Sequence, residues 1–356
     1  MQKLKVAFCG GGTGGHYYPA VSILQELKRL REIDLLYFTV SGKIDDRSVG
    51  KDFPEAKIVP LELTGLKRPL YSPANAGILF SHLKTERSVR ERLAEFSPDF
   101  LFSTGGYVSY PVVKASHKLG IPVYIHEQNS VVGIANKSLA RYARLLFISF
   151  EESRSKLEIP AERIILSGNP VREAKSTKSE VMKRFNLAEE SPFIVVLGGS
   201  LGSEVVNSAL EKFYSEIEGS GDRLTFLHST GDDNWALSLN RFPFVRSFSY
   251  IEDLTDAIAC ADLVVSRGGA TTIAELQYFG RKGIIIPWPG AAENHQFHNA
   301  RSLERVGLGY VILEENLTST ALSIAIREML QRETCYKPPR RPVEIILDNI
   351  LREESI

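Results

Sequence analysis

Short apolar runs alternate with helically spaced stretches along most of the chain. Residues 4–9, 34–40, 57–61, 100–103, 122–126, 145–148 and 164–166 are rich in Val, Ile, Leu and Phe and bounded by polar residues, Gly or Pro. Runs this short and this apolar predict strands buried on both faces. A helix is predicted to open near Pro19 and run to Leu30. A longer one ends near Phe96, with Ser72-Pro73 as N-cap and first-turn proline. Strand alternating with helix predicts a parallel sheet covered by helices. Residues 168–192 are polar and read as a connection. The pattern then restarts at 193–197, with further strands predicted at 224–228, 245–248, 263–266, 283–286 and 309–312. Each half opens with strand, glycine turn and helix. The expectation is therefore an α/β protein of two Rossmann-like domains, residues 1–166 and 167–342, facing each other across a cleft. Residues 343–356 read as a helix that packs back across them.

The length of 356 residues agrees with two domains. No apolar run approaches the ~20 residues that span a bilayer, and the N-terminus lacks the pattern of a signal peptide. Cys9, Cys260 and Cys335 are few and scattered, which predicts neither disulfides nor zinc and points to a reducing cytoplasm. Net charge is zero, but Lys and Arg outnumber Asp and Glu 23 to 17 in residues 1–165 and trail them 20 to 26 beyond. Such asymmetry turns the first half toward an anionic partner. With no basic tail and no basic-aromatic strand motif, nucleic acid is not expected.

The densest chemistry lies in residues 10–16, Gly-Gly-Gly-Thr-Gly-Gly-His. Glycines let a backbone approach a ligand closely, and the amides opening the next helix suit an anion. The run fits G-x-G-x-x-G, but a dinucleotide site expects an acid at the end of the second strand, where Val40-Ser41-Gly42-Lys43 stands. That argues against a dehydrogenase. Further polar clusters follow at 104–109 and at His126-Glu127-Gln128-Asn129-Ser130. The latter is not H-E-x-x-H, so a zinc-protease reading fails. Residues 267–275 combine a glycine turn with Thr272-x-x-Glu275, which predicts a capping box. His295 and His298 lack companions at metal-ligand spacing. No Asp-x-Asp pair is present for a Mg²⁺-diphosphate clamp, so neither metal nor cofactor is expected. Leaving-group charge then falls to backbone amides and to cations such as Arg172 or Arg267.

Gly-Gly-Thr-Gly-Gly-His with Pro19-Ala20, Gly105-Gly106-Tyr107-Val108-Ser109, His126-Glu127-Gln128-Asn129, Gly168-Asn169-Pro170-Val171-Arg172, Gly198-Gly199-Ser200 and Tyr250-Ile251-Glu252-Asp253 stand in register over nearly the whole chain. Together they resemble the MurG family of glycosyltransferases. The resemblance implies a GT-B fold and an inverting, metal-independent transfer of N-acetylglucosamine from UDP-N-acetylglucosamine to lipid I, the undecaprenyl-diphosphate-linked N-acetylmuramoyl pentapeptide. It implies a donor site of Thr13, Gly14, Gly15, Asn129, Arg172, Ser200, Ile251, Ala270, Thr271, Thr272, Ile273, Ala274 and Glu275. Ile251 would meet uracil and Glu275 the ribose, with His295 and Gln296 near the sugar, where the family usually carries two glutamines. His16 is the expected general base, since an imidazole titrates near neutral pH, and Glu127 is the second choice. A UDP-N-acetylglucosamine 2-epimerase is the main alternative, because those isomerases share the architecture. A lipid-linked acceptor implies a peripheral location on the cytoplasmic face of the membrane. Residues 66–92 suit its anionic surface: Lys67, Arg68, Lys84, Arg87, Arg90 and Arg92 accompany Leu70, Tyr71, Ile78, Leu79, Phe80 and Leu83.

Overall fold

A computed structural model describes residues 3–65, 74–188, 191–199, 202–221, 223–251 and 254–355. The chain divides into two compact units, Met1–Val171 with Arg340–Ile356, and Arg172–Pro339. In the first, strands β1 (Leu4–Cys9), β2 (Ile33–Val40), β3 (Lys57–Leu61), β4 (Phe100–Ser103), β5 (Val123–Glu127), β6 (Leu145–Ile148) and β7 (Ile164–Leu166) form one sheet. Its order is β3-β2-β1-β4-β5-β6-β7, and every pairing is parallel. Helices α1 (Gly14–Leu30), α2 (Ile44–Asp52), α3 (Ala74–Phe96), α4 (Ser109–Lys118) and α5 (Ile134–Leu139) connect the strands.

Side chains alternate across a strand, and β1 shows the consequence. Val6 and Phe8 enter one core with Tyr17, Leu24, Tyr37, Phe102 and Phe147. Ala7 and Cys9 enter the other with Phe38, Leu101, Val112 and Ile125. Both faces are apolar because helices cover both, which is why these strands read as unbroken hydrophobic runs.

The second unit repeats the plan. Strands β8 (Phe193–Leu197), β9 (Thr225–Ser229), β10 (Val245–Phe248), β11 (Leu263–Ser266), β12 (Gly283–Ile285) and β13 (Gly309–Val311) order as β10-β9-β8-β11-β12-β13, again all parallel. Its helices are α6 (Lys178–Arg184), α7 (Glu204–Ile217), α8 (Asp233–Leu239), α9 (Thr255–Cys260), α10 (Ala270–Phe279), α11 (His295–Arg305) and α12 (Ser319–Gln331). The final helix, α13 (Pro342–Glu353), returns to the first unit. There Val343, Ile346, Leu347 and Ile350, spaced to share one helical face, join the core of Leu24 and Leu27. Arg341 pairs with Glu26 of α1 at 3.1 Å.

Three local expectations need correction. Helix α1 opens at Gly14 rather than near Pro19, which lies inside it. Proline cannot donate to the carbonyl of Gly15, four residues earlier; Gly15 is exposed, so water can supply that donor. The connection at 168–192 contains α6, started by a genuine capping box of Thr177 and Glu180. The box expected at Thr272 and Glu275 does not form, because α10 starts earlier, with Gly269 as N-cap and no side-chain cap. The Ser72-Pro73 signal lies outside the described residues.

Candidate functional site

In an open parallel sheet, ligands gather beyond the carboxyl ends of the strands where the winding reverses. In the first unit that point lies between β1 and β4, and in the second between β8 and β11. Residues 10–13 leave β1 and residues 104–108 leave β4. Residues 198 and 199 leave β8 and residues 267–269 leave β11. All four are the glycine-rich clusters picked out in the sequence.

In the first unit, His16 stands half-buried in the opening turn of α1. Its Nδ1 lies 3.0 Å from the carbonyl of Thr104 and 3.0 Å from Gln128 Oε1. Both are acceptors, so Nδ1 carries the proton and Nε2 keeps its lone pair. Among the described residues, Nε2 has no hydrogen-bond partner. Thr104 Oγ1 donates to the carbonyl of His16 at 2.8 Å, tying the helix entrance to the loop after β4. Gly105 and Gly106, at φ +95° and +83°, flank the ring: a Cβ on either would lie in van der Waals contact with an imidazole carbon, at 3.4 Å.

Glu127, the second choice for a base, is otherwise engaged. It is buried, and its carboxylate accepts from Asn129 N (3.0 Å), Gly133 N (2.9 Å) and Asn136 Nδ2 (2.9 Å). Through these bonds the carboxylate secures the loop after β5. Asn129 is thereby fixed through its backbone, and its side chain is half-buried. His126 is buried, with Nε2 3.0 Å from the Gly168 carbonyl, and burial pushes its pKa down to about 4.

Two residues escaped the sequence reading. Asn136 donates to the His126 carbonyl and to Glu127, while its Oδ1 is buried without a partner among the described residues. That oxygen would lie 3.2 Å from a Cβ on Gly105, beside the imidazole. Asp45, fully buried, accepts from Gly12 N (2.8 Å) and Val40 N (2.7 Å). A Cβ on Gly11 would overlap its carboxylate. The first glycine loop thus sits on an internal anion, which removes the Gly12 amide from ligand binding. The amides of Gly14 and Gly15, in the first turn of α1, keep that option; Thr13 precedes them as an exposed N-cap. Nothing local to Asp45 in sequence signals this role.

In the second unit, the first turn of α10 is uncapped, so the amides of Ala270, Thr271 and Thr272 remain available to an anion. Thr271 Oγ1 is buried with no partner among the described residues. Ile273 and Ala274 face the interior and can offer a ligand backbone only. Glu275 is buried and accepts from Thr255 Oγ1 at 3.3 Å. Arg267 is no free cation: it pairs with Glu314 at 2.5 Å and donates to Ser203 Oγ at 2.7 Å and the Ile286 carbonyl at 3.2 Å, bracing the loop after β8. Gln296 Oε1 accepts from Gly268 N (3.2 Å) and Trp288 N (3.0 Å), so only its NH₂ is left for a sugar. His295 Nδ1 donates to the Ala292 carbonyl at 2.8 Å, leaving Nε2. Ile251 and Arg172 are half-buried. Ser200 lies outside the described residues.

Two parallel-sheet units with glycine loops at both switch points define an enzyme built for a nucleotide-linked substrate. Family models agree. Residues 6–148 match the glycosyltransferase family 28 N-terminal domain and residues 193–343 its C-terminal domain. A Thermotoga sp. (strain RQ2) protein described as UDP-N-acetylglucosamine--N-acetylmuramyl-(pentapeptide) pyrophosphoryl-undecaprenol N-acetylglucosamine transferase is 41% identical, over 98% of this chain and 99% of its own. The crystal structure of Acinetobacter baumannii MurG superimposes with a TM-score of 0.75 at 22% identity, covering 99% of this chain and 100% of that one. A UDP-GlcNAc 2-epimerase from Methanocaldococcus jannaschii reaches 0.68 at 15% identity, covering 99% and 100%. At such identities the two likenesses show the fold alone. The chain belongs to glycosyltransferase family 28 and, within it, to the MurG transferases.

Proposed function

We propose that the chain transfers N-acetylglucosamine from UDP-N-acetylglucosamine to the 4-hydroxyl of a lipid-linked N-acetylmuramoyl pentapeptide, with His16 as general base. The carrying observation is the imidazole at the β1/β4 switch point, its Nδ1–H held by two acceptors and its Nε2 unengaged. As the acceptor oxygen attacks C1 of the sugar, Nε2 takes the hydroxyl proton. The C1–O bond to UDP breaks with its electron pair, and the configuration at C1 inverts. The released diphosphate gains negative charge, which the uncapped first turn of α10 and the hydroxyls of Thr271 and Thr272 are suited to meet. Glu275 would receive the ribose.

Labelled UDP-N-acetylglucosamine with a short-chain lipid I analogue tests this reading. His16→Ala should lower kcat by about 10²–10⁴-fold while donor KM stays similar, and an unaffected variant refutes the assignment. The epimerase architecture is shared at 15% identity, but a relative 41% identical over 98% of the chain is described as a transferase. An epimerase would consume donor with no acceptor present.

The same reading places the protein against an anionic membrane surface. Among the described residues no helix is long and apolar enough to cross a membrane. Helix α3 exposes Leu83 (54%) beside Lys84, Arg87 and Arg90, and each cation near such a surface contributes about 1 kcal/mol. Lys67, Arg68, Leu70 and Tyr71 lie outside the described residues. Failure to sediment with anionic liposomes at low salt would count against the attachment.

A further inference from the structure

We propose that Gln128 is the positioning residue that holds His16 in its working tautomer, with the proton on Nδ1 and the lone pair on Nε2. The inference rests on His16 as the base and adds the device that keeps it one. Gln128 is 1% exposed, so it reaches a substrate only through the imidazole.

The orientation of its carboxamide follows from its neighbours. Gln128 Nε2 lies 2.7 Å from the Thr104 carbonyl, 3.2 Å from the His126 carbonyl and 3.0 Å from His126 Nδ1. The two carbonyls can only accept. His126 Nε2 faces the Gly168 carbonyl at 3.0 Å, so that nitrogen holds the proton and Nδ1 presents a lone pair. All three neighbours therefore require the NH₂ group. Turning the carboxamide over would set Oε1 against two carbonyl oxygens and a lone pair, leaving buried groups unsatisfied at the cost each such loss carries. Oε1 is thus the atom turned to His16 Nδ1, at 3.0 Å.

Proton placement then passes along a chain of contacts. The Gly168 carbonyl sets His126; His126 and Thr104 set Gln128; Gln128 and Thr104 set His16. Burial holds His126 neutral near pH 7, its pKa pushed down to about 4, which keeps Nδ1 an acceptor. When Nε2 takes the substrate proton, the Nδ1–H of the new imidazolium already has two acceptors in place. Fixing a histidine through its second nitrogen in this way orients the ring and sets its tautomer.

Side-chain ¹⁵N NMR on the full-length protein tests the proposal, with His16→Ala used to assign the signal and steady-state kinetics in parallel. Wild type should show a protonated Nδ1 and an unprotonated Nε2 at His16. Gln128→Met, close in size but unable to accept from N–H at full strength, should shift His16 toward mixed tautomers. It should lower kcat by about ten- to a hundredfold and leave KM for UDP-N-acetylglucosamine within about twofold. A wild-type proton on Nε2 overturns the proposal even if the variant does not fold. An unchanged tautomer and kcat in a folded Gln128→Met also overturn it. Full activity in His16→Ala would instead remove the base assignment, while comparison of the wild-type and Gln128→Met spectra still reports whether Gln128 sets the tautomer.

Discussion

Replacing Gly106 by alanine should damage catalysis out of proportion to stability. Gly106 has φ +83°, and a Cβ there would lie 2.9 Å from the Gly11 carbonyl oxygen and 3.4 Å from His16 Cδ2. Two costs follow. A side chain in the left-handed region costs about 1–2 kcal/mol. The contact with a backbone oxygen is closer than a relaxed carbon–oxygen pair, so the loop at 10–12 or the loop at 105–107 must move. Gly42 provides the control, with φ +72° and nothing within 4 Å of an added Cβ. Gly42→Ala bears the first cost alone. For domains of this size each kcal/mol lowers Tm by about 2–4 °C, so both variants should lose a few degrees by calorimetry. Only Gly106→Ala should lose kcat, by about tenfold or more, because displacing a reacting group by an ångström costs up to about 10²-fold. Donor KM should hold in Gly42→Ala, where an added Cβ meets nothing within 4 Å. If Gly106→Ala matches Gly42→Ala in kcat within twofold at similar Tm, the confinement of His16 by this loop is irrelevant to turnover and the reasoning fails.

Glu127→Gln sets an NH₂ against one of the three donors its carboxylate now satisfies; urea unfolding should show a loss of about 1–3 kcal/mol. A kcat loss as deep as that of His16→Ala at undiminished stability would make Glu127 the base. Thr271→Val deletes a buried, unpartnered hydroxyl, so stability should hold while UDP binding by calorimetry weakens about fivefold, near 1 kcal/mol; unaltered UDP affinity would exclude the hydroxyl from the donor site. Burial lowers the pKa of His126 to about 4 and that of His228 to about 3. Both lie below the unfolded value near 6.5, so the unfolded chain binds more protons as pH falls. Each histidine's contribution is complete above about pH 6.5 and declines below it by about 1.4 kcal/mol per pH unit until its folded pKa is reached. Urea titrations at pH 7, 6 and 5 should show this slope, and His228→Asn should remove one proton's worth from the second unit. An identical slope in that variant would contradict the assignment.

The alternation of apolar runs with helical spacing determined the fold class unaided. Parallel strands covered on both faces must be hydrophobic on both, so β1 or β8 is recognisable with no knowledge of its neighbours. The glycine loops were equally visible, because backbone that turns sharply or passes close to another chain segment admits little else. Local reading erred where an element's end depends on contacts from elsewhere. Thr272 and Glu275 spell a capping box, yet α10 begins at Ala270, after a loop pinned by Gln296 from α11. Charge was the least legible property. Arg267 and Glu127 look like chemistry in one dimension, but Glu314 neutralises the first and three donors hold the second against its own loop. Asp45 looks like a surface helix residue and lies instead beneath the first glycine loop. A side chain's type and spacing are written in the chain, whereas whether its lone pairs and protons are free is decided by partners distant in sequence, such as Gln128, 112 residues from His16. Hydrogen bonds saturate, and only the folded arrangement shows which atoms have been used.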